Sequence, residues 1–324
     1  MASLYSRVFP LLLTAFFILG GLLLYAGLLS PAAATYMIDL MYYIGISLAM
    51  AVIMSYTGYV SFGHTVFFGI GAFMTSLVMG VVYGKALMEG ANPYPYFIMG
   101  TLLGILVAAG LAAGVGVVVL RLRGAFFAIA TIGLDYTVLN LVKLYEGGFG
   151  GGEIHFFVSQ STEEKYLVFL IAFMISLGLA YYTRVSRIGY GLMAIREDED
   201  AAEAAGVDTF RYKVLAFTIS AVIASLWGAV IAWRDAGVVA ESAFSLLNSV
   251  YMIVMNTIGG LGTMAGPIIG ALIFYPLYRV LLTSIPQVAL LPMGILVIII
   301  VSLVPEGVVG VARRIYAPLR RHLY

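Results

Sequence analysis

The chain of 324 residues is 62% hydrophobic and only 10% charged, with a formal net charge of +1 and a mean hydropathy of +1.05. A water-soluble domain carries more charge on its surface than this. The near-neutral balance and the lack of a basic block argue against nucleic acid as a partner. The absence of Cys excludes disulfides and thiolate metal sites.

Long apolar runs are separated by short charged stretches, as in a helical protein that spans a lipid bilayer. A span takes about 20 apolar residues at a rise of ~1.5 Å each. In chain order the predicted spans are 9–29, 37–56, 61–83, 96–119, 125–142, 166–183, 213–233, 247–260, 266–283 and 287–304. The expected fold is therefore all-α, a polytopic transmembrane helical bundle of about ten spans in one membrane domain over residues 1–324. The first run, Val8 to Leu29, is followed by Pro31-Ala32-Ala33-Ala34, which resembles a signal-peptide cleavage site. Its 22 residues suit a span better than a signal core, and a retained helix is expected. Span 61–83 holds Gly63, Gly69, Gly71 and Gly80 and is a candidate for a broken or re-entrant segment. Span 247–260 is short and runs into Gly259-Gly260-Leu261-Gly262.

Positive charges orient the bundle. With the N-terminus in the cytoplasm and ten crossings, the inside segments hold 12 Lys and Arg and the outside segments 5, with both termini inside. The long inside connection runs from Arg184 to Lys213, and a Gly-rich outside loop, with Gly147 to Gly152, runs from Lys143 to Lys165. In the inside connection, acids cluster from Glu197 to Asp200 and alanines follow. A short helix over 196–205 fits, with acids at its positive end and Gly206 in the left-handed position beyond its end. Asp208 caps the following helix, with Val207 and Tyr212 placed as a hydrophobic staple. Such a helix, small-faced and exposed, can dock into a groove of a partner; the plainer alternative is a solvated linker.

Here the sequence resembles a family. Ala194-Ile195-Arg196-Glu197-Asp198-Glu199, Ala201 to Ala204, Gly206 and Tyr212-Lys213 are similar to the coupling loop of branched-chain amino acid ABC permeases of the LivH/LivM type. Ser61-Phe62-Gly63-His64 with Phe67 to Ala72, Leu120 to Gly124 with Phe127 to Thr131, and Ile258 to Thr263 with Gly266-Pro267 and Gly270 resemble three more family segments in the same order. The resemblance runs from about residue 40 to 307. It implies a non-enzymatic transport subunit in a prokaryotic inner membrane. Its implied partners are a second permease subunit, identical or homologous, two cytoplasmic ATPases and an extracytoplasmic substrate-binding protein. The resemblance implies no cofactor. The phosphate-binding pattern G-x-x-x-x-G-K-[ST] is absent, so ATP would be handled by a partner. The coupling residues implied are Arg196, Glu197, Asp198, Glu199, Ala202, Glu203 and Gly206.

Candidates for the translocation path are Ser61, His64 and Thr65 at the expected helix break, Asp135 deep in the fifth span, and Asn256 and Thr257 before the Gly-rich turn. Each has a structural alternative. His64 can satisfy a carbonyl freed by the break, and Asn256 and Thr257 can bond between helices. Asp135 can pair with Asn140 or a Tyr hydroxyl; the Glu and Arg that the family often carries nearby are replaced by Tyr136 and Leu139. A permease for urea or amides, or a stand-alone carrier or channel, remains an alternative; the latter usually places several charges in its spans.

Overall fold

The computed structural model describes residues 2–87, 90–145, 153–284 and 307–315. The elements in order are α1 (Ala2–Tyr25), α2 (Pro31–Thr57), α3 (His64–Leu77), α4 (Pro93–Val119), α5 (Ala125–Tyr145), β1 (Glu153–His155), α6 (Thr162–Val185), α7 (Arg187–Glu197), α8 (Glu199–Ala204), α9 (Thr209–Asp235), β2 (Gly237–Val239), α10 (Ala240–Ala243), α11 (Leu246–Gly259), α12 (Ala265–Ser284) and α13 (Gly307–Ile315). Among the described residues seven helical stretches are long and apolar enough to cross a membrane, and the apolar parts of α1 (Phe9–Tyr25) and α12 (Ala265–Leu281) are shorter. Nine of the ten predicted spans thus meet a helix, and 287–304 lies outside the described residues.

Local chemistry sets the boundaries. Ser30 caps α2 through Ala33 N–H with Pro31 at the first turn, and Gly58 closes the helix at φ 81°. Asn92 and Pro93 start α4 in the same way. Ser161 and Glu164 form a capping box on α6. The expected break in span 61–83 falls at its first residues, ahead of His64. From His64 the helix runs to Ala86, absorbing its irregularity as a π-helical stretch, Val78–Tyr83. The all-α expectation holds, with one minimal pair of strands added. Glu153–His155 pairs antiparallel with Gly237–Val239, because the three-residue strands are too short to leave a periodic signal.

Helices α2, α3 and α9 form the buried centre, whereas α4 and α5 leave broad faces exposed. The α3–α9 crossing is a backbone-to-backbone approach. A side chain on Gly71 would strike the Ser225 carbonyl, and one on Gly228 would strike the Phe68 carbonyl. Small residues at this spacing let helices approach closely where no hydrophobic effect drives them together. Trp227 and Phe217 of α9 and Phe67 of α3 are fully buried around that seam. Helix α1 docks on α6 through Phe17, whose ring meets Phe173 edge-on at 4.9 Å and whose carbonyl accepts from Tyr166 Oη at 2.7 Å.

Candidate functional site at one end of the bundle

The connection from α6 to α9 is folded, but as two short helices where the sequence suggested one. The break is at Asp198, which leaves helical geometry at φ −160° and accepts from Ala201 N–H at 2.9 Å, so it ends α7 and caps α8. An Asp offers the backbone this alternative to a continuous helix. Gly206 adopts φ 88° past α8, as its position implied. Asp208 caps α9 through Arg211 N–H at 3.1 Å.

Four helix-to-helix connections meet at this end. Lys213, at the start of α9, has a side chain only 4% exposed. Its ammonium donates to Glu199 Oε1 at 2.7 Å, to Tyr59 Oη at 3.1 Å and to the Leu120 carbonyl at 3.2 Å. Three donors thus find three acceptors, as a buried ammonium requires. Tyr59 in turn donates to Glu199 Oε2 at 2.6 Å. These bonds tie α8 to the α2–α3 connection through Tyr59 and to the end of α4 through Leu120. Arg123 adds Nε to Glu199 at 3.6 Å and Nη1 to Asp200 at 2.9 Å from a position 56% exposed. Arg196 reaches the fourth connection. Its side chain passes Gly58 and ends beside Gly262, where any side chain would collide with the guanidinium. Between these groups lies a cavity of about 530 Å³, lined in part by Thr57, Gly58, Tyr59, Arg123, Arg196 and Glu199.

Burial pushes the Glu199 carboxyl up, but hydrogen bonds from Lys213 and Tyr59 and the charges of Lys213 and Arg123 outweigh it, and the net shift is downward. Burial and the Glu199 carboxylate hold the Tyr59 phenol above its usual range, so it remains a donor. A folded-state pKa below the unfolded one stabilises above the unfolded value, and that contribution is lost as pH falls through the folded value. Proteolysis of the 198–206 segment should therefore stay slow at neutral and mildly acid pH. It should rise only below the ordinary carboxylate range of about 4. Glu199→Gln should remove that acid step; a profile identical in that variant would show that Glu199 is not the titrating group.

The seven predicted coupling residues separate into two sets. Glu199 and Ala202 face the protein and hold the connection against the bundle, and Arg196 is half-buried. Glu197, Asp198, Glu203 and Gly206 are exposed. Glu199 therefore lies inside a clamp, because Lys213 folds back against it. Tyr59, Arg123 and Lys213 were given no role from sequence, although Arg123 and Lys213 stand in segments that resemble the family. The available signal was Lys213 itself, a cation opening an apolar run and in need of partners.

The candidates for a pathway are mostly engaged in packing. Ser61, His64 and Thr65 are fully buried. Ser220 Oγ donates to the Ala49 carbonyl, so its only proton is used and it accepts from His64 Nε2; Nδ1 has no partner among the described residues. His64 thereby links α3, α9 and α2. Thr65 N–H donates to Ser249 Oγ at 2.9 Å, and its hydroxyl to the Ala243 carbonyl at 3.0 Å. Asn256 Nδ2 donates to the Ser47 and Met252 carbonyls and its Oδ1 accepts from Ser55, joining α11 to α2. Thr257 bonds back to the Ile253 carbonyl. Asp135 is 2% exposed, and its Oδ1 has no partner among the described residues. Asn140 is not its partner, since that amide donates to the Tyr136 carbonyl. Gly147, Gly148, Gly150, Gly151 and Gly152 lie beyond the described residues.

At the opposite end Arg234 pairs with Asp39 at 3.3 Å and with Asp235 at 2.7 Å. A bundle of apolar helices, with ion pairs at its two ends and a folded connection gripping three others, is a multi-pass membrane protein. Residues 32–302 match the family described as branched-chain amino acid transport system / permease component. The chain belongs to this family of membrane transport subunits. It is 28% identical over 307 residues to the high-affinity branched-chain amino acid transport system permease protein LivM of Salmonella typhimurium, covering 84% of this chain and 69% of the relative. The LivM protein of Escherichia coli is 27% identical over the same length and coverage. The LivH permease protein of Salmonella typhimurium is 23% identical over 245 residues, 70% of this chain and 78% of the relative. No solved structure matches.

Proposed function

We propose that this chain is the permease subunit of a binding-protein-dependent ABC importer that carries branched-chain amino acids inward. Two ATPases bind on the side of the α7–α8 connection, which is cytoplasmic. A second permease subunit and an extracytoplasmic binding protein complete the assembly. Both termini lie in the cytoplasm, as the distribution of positive charge favours, in the inner membrane of a prokaryote.

One observation carries the reading. The α7–α8 connection touches the three other connections at its end of the bundle, through Tyr59, Arg123 and Gly262, yet leaves Glu197, Glu203 and Gly206 outward. A push on its outer surface therefore reaches the ends of α2, α4 and α11 together through packed and charged contacts. The same wiring would serve no purpose in a solvated linker. A stand-alone carrier is disfavoured, since Asp135 is the one acid deep within a span among the described residues.

The test is reconstitution with its ATPases, second permease and binding protein. Glu203→Arg reverses one exposed charge that no described contact uses, so folding should be unaffected. ATP-driven leucine uptake should fall by about tenfold or more, the loss expected from ~1.4 kcal/mol or more at a docking interface. Uptake equal to that of the parent would remove the coupling assignment.

A further inference from the structure

Helix α5 carries an exposed face unlike those of its neighbours. On α4 the exposed side chains include Leu102, Leu103, Leu106, Val107, Val117 and Val118, and on α1 they include Leu11, Leu12, Phe16 and Leu19. Those surfaces suit acyl chains. The exposed face of α5 is apolar only toward its ends, with Phe126 and Ile129 at one and Leu141 and Leu144 at the other. In the middle, Gly133, Tyr136, Thr137 and Asn140 are exposed. At ~100° per residue these four positions fall on one side of the helix.

The plain reading is that these polar groups satisfy themselves. It holds for Thr137, whose hydroxyl donates to the Gly133 carbonyl at 2.7 Å. It holds for half of Asn140, whose Nδ2 donates to the Tyr136 carbonyl at 2.8 Å. The Asn140 carbonyl oxygen and the Tyr136 hydroxyl make no hydrogen bond among the described residues, and Tyr136 is 54% exposed. Mid-helix in hydrocarbon, such a group is strongly unfavourable without a partner. They need water or a polar ligand.

We propose that the face of α5 from Gly133 to Asn140 is a wall of the translocation path, with Tyr136, Thr137 and Asn140 as its polar contacts for the passing solute. The inference rests on the transport reading and adds which helix and which chemistry the path uses. The chemistry of this face suits a small zwitterion, the solute class of the transport reading. A neutral amide and a phenol can exchange hydrogen bonds with its ammonium and carboxylate without binding either tightly. Gly133 leaves room beside them. The apolar residues above and below interrupt the water column, so the polar stretch forms a waiting position and not an open pore.

The chain has no Cys, so thiols can be placed singly. Thr137→Cys and Asn140→Cys, each in the complex with its ATPases and second permease in vesicles, are exposed to a charged, membrane-impermeant methanethiosulfonate. Val107→Cys on the lipid-facing side of α4 is the control. Modification is read as the mass of this chain. Both α5 variants should react at least about tenfold faster than the control, because the reagent needs a hydrated thiolate, and excess leucine should slow them. Reaction no faster than the control overturns the proposal. So does oxidant cross-linking to a neighbouring subunit without reagent modification, since that face is then a sealed seam. Uptake by the parent complex is measured in parallel. Active uptake with unreactive α5 thiols defeats this inference alone, while absent uptake with reactive α5 thiols defeats the importer reading and leaves a hydrated face.

Discussion

Replacing Lys213 by Met should lower the stability of the folded chain by about 3 kcal/mol, because removal of one partner leaves a carboxylate in a mostly buried site. Glu199 is 15% exposed, and its Oε1 loses a 2.7 Å partner. Tyr59 and Leu120 lose theirs as well. The effect should be larger than that of Arg123→Ala, which removes an ion pair to the same carboxylate from a side chain 56% exposed. Surface pairs of that kind contribute about 0–1 kcal/mol. The decisive variant is the double one. Lys213→Met with Glu199→Gln leaves no charge unpaired and should recover a substantial part of the loss. Thermal unfolding in detergent gives the cycle. Equal losses for Lys213→Met and Arg123→Ala would show that the buried ammonium does not hold the connection, as would additivity of the Lys213 and Glu199 changes. On the coupling proposed above, ATP-driven uptake should follow the same order, because a released α8 would no longer be tied to α2 and α4.

Gly228→Leu should prevent assembly of the bundle, whereas Gly110→Leu should be tolerated. Both are helix glycines in apolar runs, and neither sequence context distinguishes them. The difference lies in what faces them. A side chain at 228 meets the Phe68 carbonyl, whereas at 110 nothing lies within 4 Å. Overpacking a core usually costs about 1–3 kcal/mol through displaced side chains. Here the obstacle is backbone, which cannot turn aside, so α3 and α9 must separate along their shared seam and the cost should exceed that range. The measurement is the yield of monodisperse protein extracted from membranes, with thermal unfolding of whatever is recovered. Comparable yields for the two variants would contradict the close α3–α9 approach.

Most of the fold was legible because its determinants are local. Runs of apolar residues are read within a few positions. They located nine described helices near their predicted places. The cap at Asp208 and the left-handed Gly206 are of the same kind. Asp198 shows the limit of this reading. Its acidity marks a helix start, but the sequence does not say that the preceding residues have already formed a separate helix. The clamp was illegible for a different reason. Glu199 lies 14 positions from Lys213 and 140 from Tyr59, and no periodicity links such residues. His64 and Asn256 were noticed as polar residues in apolar surroundings. Their partners Ser220 and Ser47 appear only once α3 lies against α9 and α11 against α2. The two three-residue strands were missed because a strand that short depends on its distant partner for its existence.

The Lys213 network has a consequence for how the complex comes together. A disordered connection that folded only against its ATPase would lose conformational entropy at every encounter and bind more weakly for a given area. In this chain the outward residues Glu197, Glu203 and Gly206 are already mounted on capped helices fastened from beneath. On the importer reading proposed above, the docking surface is preorganised, so an ATPase would meet a rigid template and associate without a folding step.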